Sequence, residues 1–247
     1  MDKEKIKQTI KFCFAVVVIV VILAVVGTII MKYEVEGDQN MPFVLSKIMV
    51  VSTAEGQEAE GDNKWNFSVY QNNDVYIYID KNEEYYGEST YIEAVKFENI
   101  QIVETPEIGE IKTYMPNSVE GRLFSYEDSY IVEDSLTYSG ATQTNYQTLE
   151  IGNQGGSALL EFSNVAVGEY SSDDDEEIIH DGTLLEKLDV TEEQVQFKVS
   201  FDLVIEMPDY SYRATVMLEL PCENMIEEGT SSLEITDTTD IIFKRES

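Results

Sequence analysis

The sequence predicts an all-β fold class, with an N-terminal transmembrane α-helix followed by an antiparallel β-sandwich-like outer domain. One long apolar segment near the N-terminus predicts the helix, and repeated apolar–polar alternation over the rest of the 247 residues predicts the strands. The composition agrees, because 43% of the residues are hydrophobic and 15 tyrosines favour strands over helices. A chain of this hydrophobicity can form a core in spite of its acidity.

The apolar segment, residues 12–31, reads FCFAVVVIVVILAVVGTIIM and contains no charged residue. Twenty helical residues span ~30 Å, the thickness of the hydrocarbon core of a bilayer. Four lysines precede the segment and Lys32 alone follows it closely, so the N-terminus is predicted to be cytoplasmic. The alternative is a cleaved signal peptide, whose apolar region is usually about 7–15 residues long and ends in small residues. The longer run here favours a retained membrane anchor.

These features divide the chain into four parts. The predicted parts are a short cytoplasmic tail (1–11), the transmembrane helix (12–31), a juxtamembrane linker (32–41) and an acidic, β-rich extracytoplasmic domain (42–247). The acidic segment 168–182 is a candidate internal boundary. The sequence therefore predicts a single-pass cell-membrane protein that contacts the lipid bilayer through residues 12–31.

The outer part of the chain is strongly acidic. After residue 31 there are 12 basic and 46 acidic residues, a formal charge of −34. This charge repels phosphate backbones and excludes nucleic acid as an expected partner. Cys13 and Cys222 are predicted to lie in different compartments, so no disulfide is expected.

The clearest strand pair comes late in the chain. Apolar residues occupy alternate positions from Val195 to Ile205, residues 208–211 form a turn, and the alternation returns from Ala214 to Leu220. This period of two predicts a long hairpin with Phe197, Phe201 and Val216 facing the core.

Earlier segments give weaker strand patterns. Residues 43–51 predict a strand, 52–63 a loop, and 65–69 with 75–79 a hairpin that turns at Asn72-Asn73-Asp74. A shift of phase predicts a β-bulge near Asn99. Further short strands are predicted at 111–115, 135–139, 158–167, 233–236 and 241–243, and a helical turn at 183–188.

Sites with recognisable chemistry are few. Asp173, Asp174 and Asp175 are candidate cation ligands, but the spacing departs from an EF-hand loop, so weak calcium binding is the most that they predict beside a solvated charge run. His180 is the only histidine, and no G-x-S-x-G motif accompanies it, so no catalytic residue is assigned. No cofactor is predicted.

Tyrosines are the remaining candidates for a binding site. Tyr76 and Tyr78 fall on the polar phase of a predicted strand, where exposed rings can stack on sugars or contact a protein. The alternative is a tyrosine-rich strand surface covered by neighbouring loops.

The N-terminal part of the chain resembles uncharacterised single-pass membrane proteins of low-GC Gram-positive bacteria. Residues 41–52, Trp65 and residues 71–79 (QNNDVYIYI) carry the likeness, which extends over about the first 100 residues. The resemblance implies a bacterial cell-surface setting and no catalytic residue or ligand.

The sequence favours a non-enzymatic, membrane-anchored interaction or scaffolding module with a protein or glycan partner at the cell envelope. The alternative is a cell-envelope enzyme, such as a glycan hydrolase that uses carboxylates. With so many acids in the outer domain, the sequence does not single out such a pair.

Overall fold

The computed structural model describes residues 3–58, 65–116, 124, 126–140, 151–172 and 183–246. An N-terminal helix is followed by two antiparallel five-stranded sheets with a shared apolar core. The predicted fold class is therefore confirmed. Asp173, Asp174, Asp175 and His180 lie outside the described residues.

The N-terminal helix α1 comprises Lys3–Glu36. Its Lys11–Lys32 segment is long and apolar enough to cross a membrane, and none of it is buried against the rest of the chain. The helix extends beyond the predicted span because the flanking lysine and glutamate residues are good helix formers. Gly37 directly follows the last helical residue, and its φ of +76° is the left-handed conformation that glycine adopts just after helix C-termini.

The strands, numbered in chain order, form two sheets. In the first sheet the order is β4 (Glu110–Tyr114), β6 (Gly156–Ser172), β2 (Trp65–Lys81), β1 (Phe43–Glu58) and β9 (Thr230–Ile235). In the second it is β10 (Lys244–Glu246), β8 (Ser211–Leu220), β7 (Phe197–Glu206), β3 (Ala94–Glu104) and β5 (Leu136–Ser139). In the described part of the chain, three short α-helices accompany them, α2 (Leu184–Lys187), α3 (Glu192–Val195) and α4 (Met225–Glu228), together with a 3-10 helix at Asp128–Tyr130.

The late hairpin is confirmed. Strands β7 and β8 pair with Phe201 opposite Val216, and Phe197, Phe201 and Val216 are all buried. The predicted bulge is confirmed as well, because the β3–β7 register shifts between Glu98 and Gln101. Asn99, between them, has a φ of 52°.

Two sequence predictions in the first sheet are wrong. No turn occurs at Asn72-Asn73-Asp74, because β2 is continuous there and pairs with β6 on one side and β1 on the other. Residues 52–58 are not a loop, because β1 continues to Glu58. At the C-terminus, residues 241–243 are not in a strand, and β10 begins at Lys244.

The core between the sheets is mainly aliphatic and aromatic. The Phe201 ring lies 5.3 Å from the Phe97 ring and 6.4 Å from that of Phe162, so it joins the two sheets. The core also contains polar groups: Ser52 Oγ donates to Asn73 Oδ1 (2.7 Å) and accepts from the backbone N–H of Cys222 (2.9 Å). These bonds satisfy polar groups that would otherwise be buried at a cost.

Candidate functional site

A row of polar side chains crosses the outer face of the first sheet. On β2, Val75 and Ile77 face the core, so the alternation places Asp74 and Tyr76 on the outer side. Asp74 pairs directly with Glu161 of β6, which in turn pairs with Tyr114 of β4. Two carboxyl groups and a tyrosine therefore lie side by side across three strands.

A covering segment buries this row. Phe124, Tyr126, Tyr130 and Ile131 pack with Tyr114 over the sheet, and Glu161 is only 2% exposed. The Tyr126 ring stacks on Tyr70 at 5.1 Å and meets Tyr114 edge-on at 5.5 Å. We refer to Asp74, Tyr76, Tyr114, Tyr126 and Glu161 as the acid–tyrosine cluster.

Burial changes the protonation of both carboxyl groups. Desolvation raises the pKa of Asp74 to about 6, and desolvation followed by the Asp74 charge raises the pKa of Glu161 well above its usual value. The two groups share a hydrogen bond that raises the pKa of Glu161 and lowers that of Asp74, so protonated Glu161 donates to the Asp74 carboxylate. The pair therefore retains a proton at a pH where exposed carboxyls have lost theirs.

The surrounding tyrosines remain neutral donors. Burial raises the pKa of Tyr76 and of Tyr114 to about 12 each, and it also raises the pKa of Tyr126. Tyr76 Oη donates to Asp74 Oδ2 at 3.4 Å. Glu161 Oε1 has no hydrogen-bond partner within the described part of the chain, although it is buried.

A line of hydrogen bonds runs from β6 to the surface. Ser163 Oγ donates to Asn72 Oδ1 (2.7 Å), and Asn72 Nδ2 donates to the Tyr126 hydroxyl. That hydroxyl donates in turn to Oε2 of Glu55, which is exposed on β1 (3.3 Å). These bonds hold the covering segment on the sheet through Tyr126.

The carboxyl pair does not have the geometry of glycosidase catalysts. Such catalysts flank a substrate, with their carboxyl groups about 5 Å apart or more. Asp74 and Glu161 are instead hydrogen bonded to each other beneath tyrosines. Among the described residues, no three His, Cys, Asp or Glu side chains are arranged to hold a metal ion. The arrangement therefore suits a stored proton better than bond cleavage.

The two tyrosines predicted as ligand contacts lie on the same outer face but differ in role. Tyr76 belongs to the acid–tyrosine cluster and is only partly exposed. Tyr78 lies one position further along that face, and its ring centroid is 4.6 Å from Lys47 Nζ of β1. Lys47 Nζ is also 2.8 Å from Glu234 Oε1 of β9. Whether either tyrosine contacts a ligand stays a prediction.

Sequence reasoning missed most of the cluster. Asp74 falls in the predicted turn, and the sequence does not single out Glu161 or Tyr126. Glu55, which accepts a hydrogen bond from Tyr126, falls in the predicted loop. One signal was present: the apolar positions 67, 69, 75, 77 and 79 keep the same parity across residues 70–74. A continuous strand preserves that parity, and it places Asp74 in phase with Tyr76.

Comparison with protein-family models, curated proteins and solved structures finds no match to this chain.

Proposed function

We propose that the protein is a membrane-anchored, extracytoplasmic interaction module of the bacterial cell surface, without enzymatic activity, which binds a protein partner. The observation that carries the proposal is a patch on the outer face of β1 and β2. It consists of Lys47, Met49, Val51, Tyr76 and Tyr78, all partly exposed. We refer to it as the Tyr78 patch.

The composition of the patch supports a protein partner. Tyrosine and methionine are enriched in protein–protein interfaces relative to the rest of the surface, with charged residues at the rim. Here Lys47 and Glu234 form an ion pair at the edge of the patch, and both are partly exposed. The patch lies on a central strand pair, so its backbone is held on both sides. The formal charge of −34 on the residues after residue 31 favours a basic partner, because complementary charge accelerates association.

The alternative, an envelope hydrolase, has less support. Glu161 is buried, Asp74 is partly buried, the two carboxyl groups are hydrogen bonded to each other, and Tyr76 covers part of the pair. A substrate would have to displace the covering segment to reach it.

Site-specific photocrosslinking in living cells tests the proposal. A benzophenone side chain at Tyr78 is expected to give a discrete protein adduct. The same group at Met217, which is exposed on β8 of the other sheet, is expected to give none. Adducts of equal yield at both positions, or none at Tyr78, would reject the patch as the binding site. Loss of binding to purified cell-wall glycan in Tyr78→Ala would indicate a glycan partner instead.

A further inference from the structure

The end of the sandwich next to α1 carries a groove of mixed character. Its volume is about 400 Å³, its apolar lining is Met41, Val44, Leu45, Ile241, Ile242 and Phe243, and its polar lining is Asp38, Gln39, Thr238 and Thr239. Ile242 is 52% exposed and Val44 36%. These two side chains offer apolar contact area to whatever lies against this end of the domain.

The groove directly adjoins the end of the membrane helix. A Cβ atom added at Gly37 would lie 2.5 Å from Cγ2 of Ile242, so these two residues are in contact. The backbone N–H of Asp38 donates to the carbonyl of Phe243 (2.9 Å), and the Tyr212 hydroxyl donates to Oδ2 of Asp38 (3.0 Å). Asp38, the second residue after the helix, is therefore hydrogen bonded to the domain through both its backbone and its side chain.

This contact fixes the depth of the groove relative to a bilayer. Gly37 follows Lys32, the C-terminal residue of the Lys11–Lys32 segment that is long enough to cross a membrane, by five positions, or ~7.5 Å along a helix. The headgroup region adds about 5–8 Å to each side of the hydrocarbon core. Ile242 consequently lies at the depth of the headgroups when α1 spans the membrane.

Tyrosines occupy the same end of the domain. The Tyr210 and Tyr212 rings meet edge to face, with their centroids 5.6 Å apart. Cζ of Arg245 lies 4.0 Å from the centroid of the Tyr210 ring. Tyr85 hydrogen-bonds to Tyr210 and stacks on Tyr86, which is 85% exposed. Tyrosine is enriched where membrane proteins meet the headgroup layer, because its ring is apolar and its hydroxyl is polar.

We propose that this end of the sandwich rests on the bilayer surface, with Ile242 and Tyr86 inserted among the lipid headgroups. The inference rests on the proposed membrane anchoring and names the second contact that the anchored domain makes. The occupant of the groove is thus lipid at the water interface. Exposed acids at this end, among them Glu83, Glu84 and Asp209, oppose attraction to anionic headgroups, so apolar and aromatic contacts drive the docking.

Nitroxide labels in the full chain, reconstituted in phosphatidylcholine vesicles, test this contact. Single cysteines replace Ile242, Tyr86, Met217 or Val21 in a chain that carries Cys13→Ala and retains the buried Cys222. Val21 reports the centre of the span. Met217 is the aqueous control, because it lies six residues along β8 from Ser211, or ~20 Å from the docked end. The measurement compares label accessibility to oxygen with accessibility to a water-soluble nickel reagent.

Labels at residues 242 and 86 are expected to lose accessibility to the nickel reagent relative to residue 217. If either is as accessible as residue 217 while residue 21 is protected, then the docking is refuted and the anchor stands. If residue 21 is itself accessible, then the anchoring proposal fails first. Each labelled protein is compared with the parent by circular dichroism, so that only folded chains are scored.

Discussion

Asp74 and Glu161 lie directly opposite each other on β2 and β6, and the partly buried Asp74 carboxyl group shares a hydrogen bond with the buried carboxyl group of Glu161. Cross-strand neighbours of like charge normally destabilise a sheet. Here burial raises both pKa values and one proton bridges the pair, so the repulsion is avoided while that proton is present. Removal of the proton leaves two adjacent negative charges, one of them buried, under the covering tyrosines.

The domain formed by the two sheets is expected to fold without the N-terminal helix. Residues 36–247 retain both sheets and the bonds from Asp38 to Phe243 and Tyr212. We expect β-type circular dichroism and a cooperative melt that reductant does not change, because Cys222 is a free thiol. A random-coil spectrum would contradict the expectation.

Stability of this domain is expected to fall as the pH rises through the carboxyl pair's titration. A carboxyl whose pKa is raised in the folded state stabilises fully below its unfolded pKa, near 4, and that stabilisation is lost as the pH rises through the folded pKa. For Asp74 this range extends to about pH 6, and for Glu161 higher. Urea unfolding between pH 4 and 8 measures the loss.

Glu161→Gln separates the effect of the carboxyl pair on stability from the effect of the chain's net negative charge. The amide donates to Asp74 without ionising, so the variant is expected to be more stable than the wild type at pH 8 and to match it near pH 4. Glu227→Gln, an exposed position in α4, removes the same charge at the surface and is the control. Equal pH profiles for the two variants would show that the pair does not hold the proton.

The sequence was sufficient where apolar periodicity was uninterrupted. In β7 every second residue from Phe197 to Ile205 is apolar, which no helix explains, and the pairing with β8 followed from the short turn. The same logic failed at Asn72 and Asn73. Asparagine is typical of turns. Only the folded chain brings together the groups that hydrogen-bond to the two buried side chains: Ser163 bonds to Asn72, and Ser52 and the Phe162 carbonyl bond to Asn73.

The acid–tyrosine cluster was beyond sequence reasoning for a related reason. Its burial depends on Tyr126 and Phe124, which belong to a segment without strand periodicity that crosses β4 and β6. Nothing in the local sequence indicates which sheet face such a segment covers. Glu161 was therefore indistinguishable from the many exposed acids of the chain.

Phe201→Ala is expected to destabilise the domain by about 3–5 kcal/mol, because it removes the ring between the two sheets and leaves a cavity. That is a large fraction of a typical stability of about 5–15 kcal/mol. Lys198→Ala, on the opposite phase of β7, removes a 3.4 Å ion pair with Glu104 and is expected to change stability by roughly 0.5 kcal/mol at most. Similar losses in urea unfolding would refute the period-two packing of β7.

Ser52→Ala is expected to cost about 1–3 kcal/mol, since it leaves the buried Cys222 N–H and the Asn73 amide oxygen without their partner. Ser232→Ala, exposed on β9 of the same sheet, is the matched control and is expected to have little effect. If the Ser52 variant unfolds at the same urea concentration as the control, then water or a rearranged side chain has replaced the hydroxyl.

The orientation of the chain is expected to follow the four lysines that precede the span. Cytoplasmic ends of membrane helices carry the excess of basic residues. Here four lysines precede the span, at positions 3, 5, 7 and 11, and Lys32 alone closely follows it. A reporter fused after Ser247 is therefore expected to be active only outside the cytoplasm. Protease added to intact protoplasts is expected to digest the domain.

Replacement of the four N-terminal lysines by glutamine provides the control for that orientation. The charge bias then rests on Lys32 alone, so a fraction of the reporter is expected to appear on the cytoplasmic side. Mutation of four lysines in the outer domain (Lys81, Lys96, Lys198 and Lys244) leaves the bias near the span intact and is expected to leave the topology unchanged. Full protection of the unmodified chain from protease would place the acidic domain in the cytoplasm and contradict both the orientation and a cell-surface role.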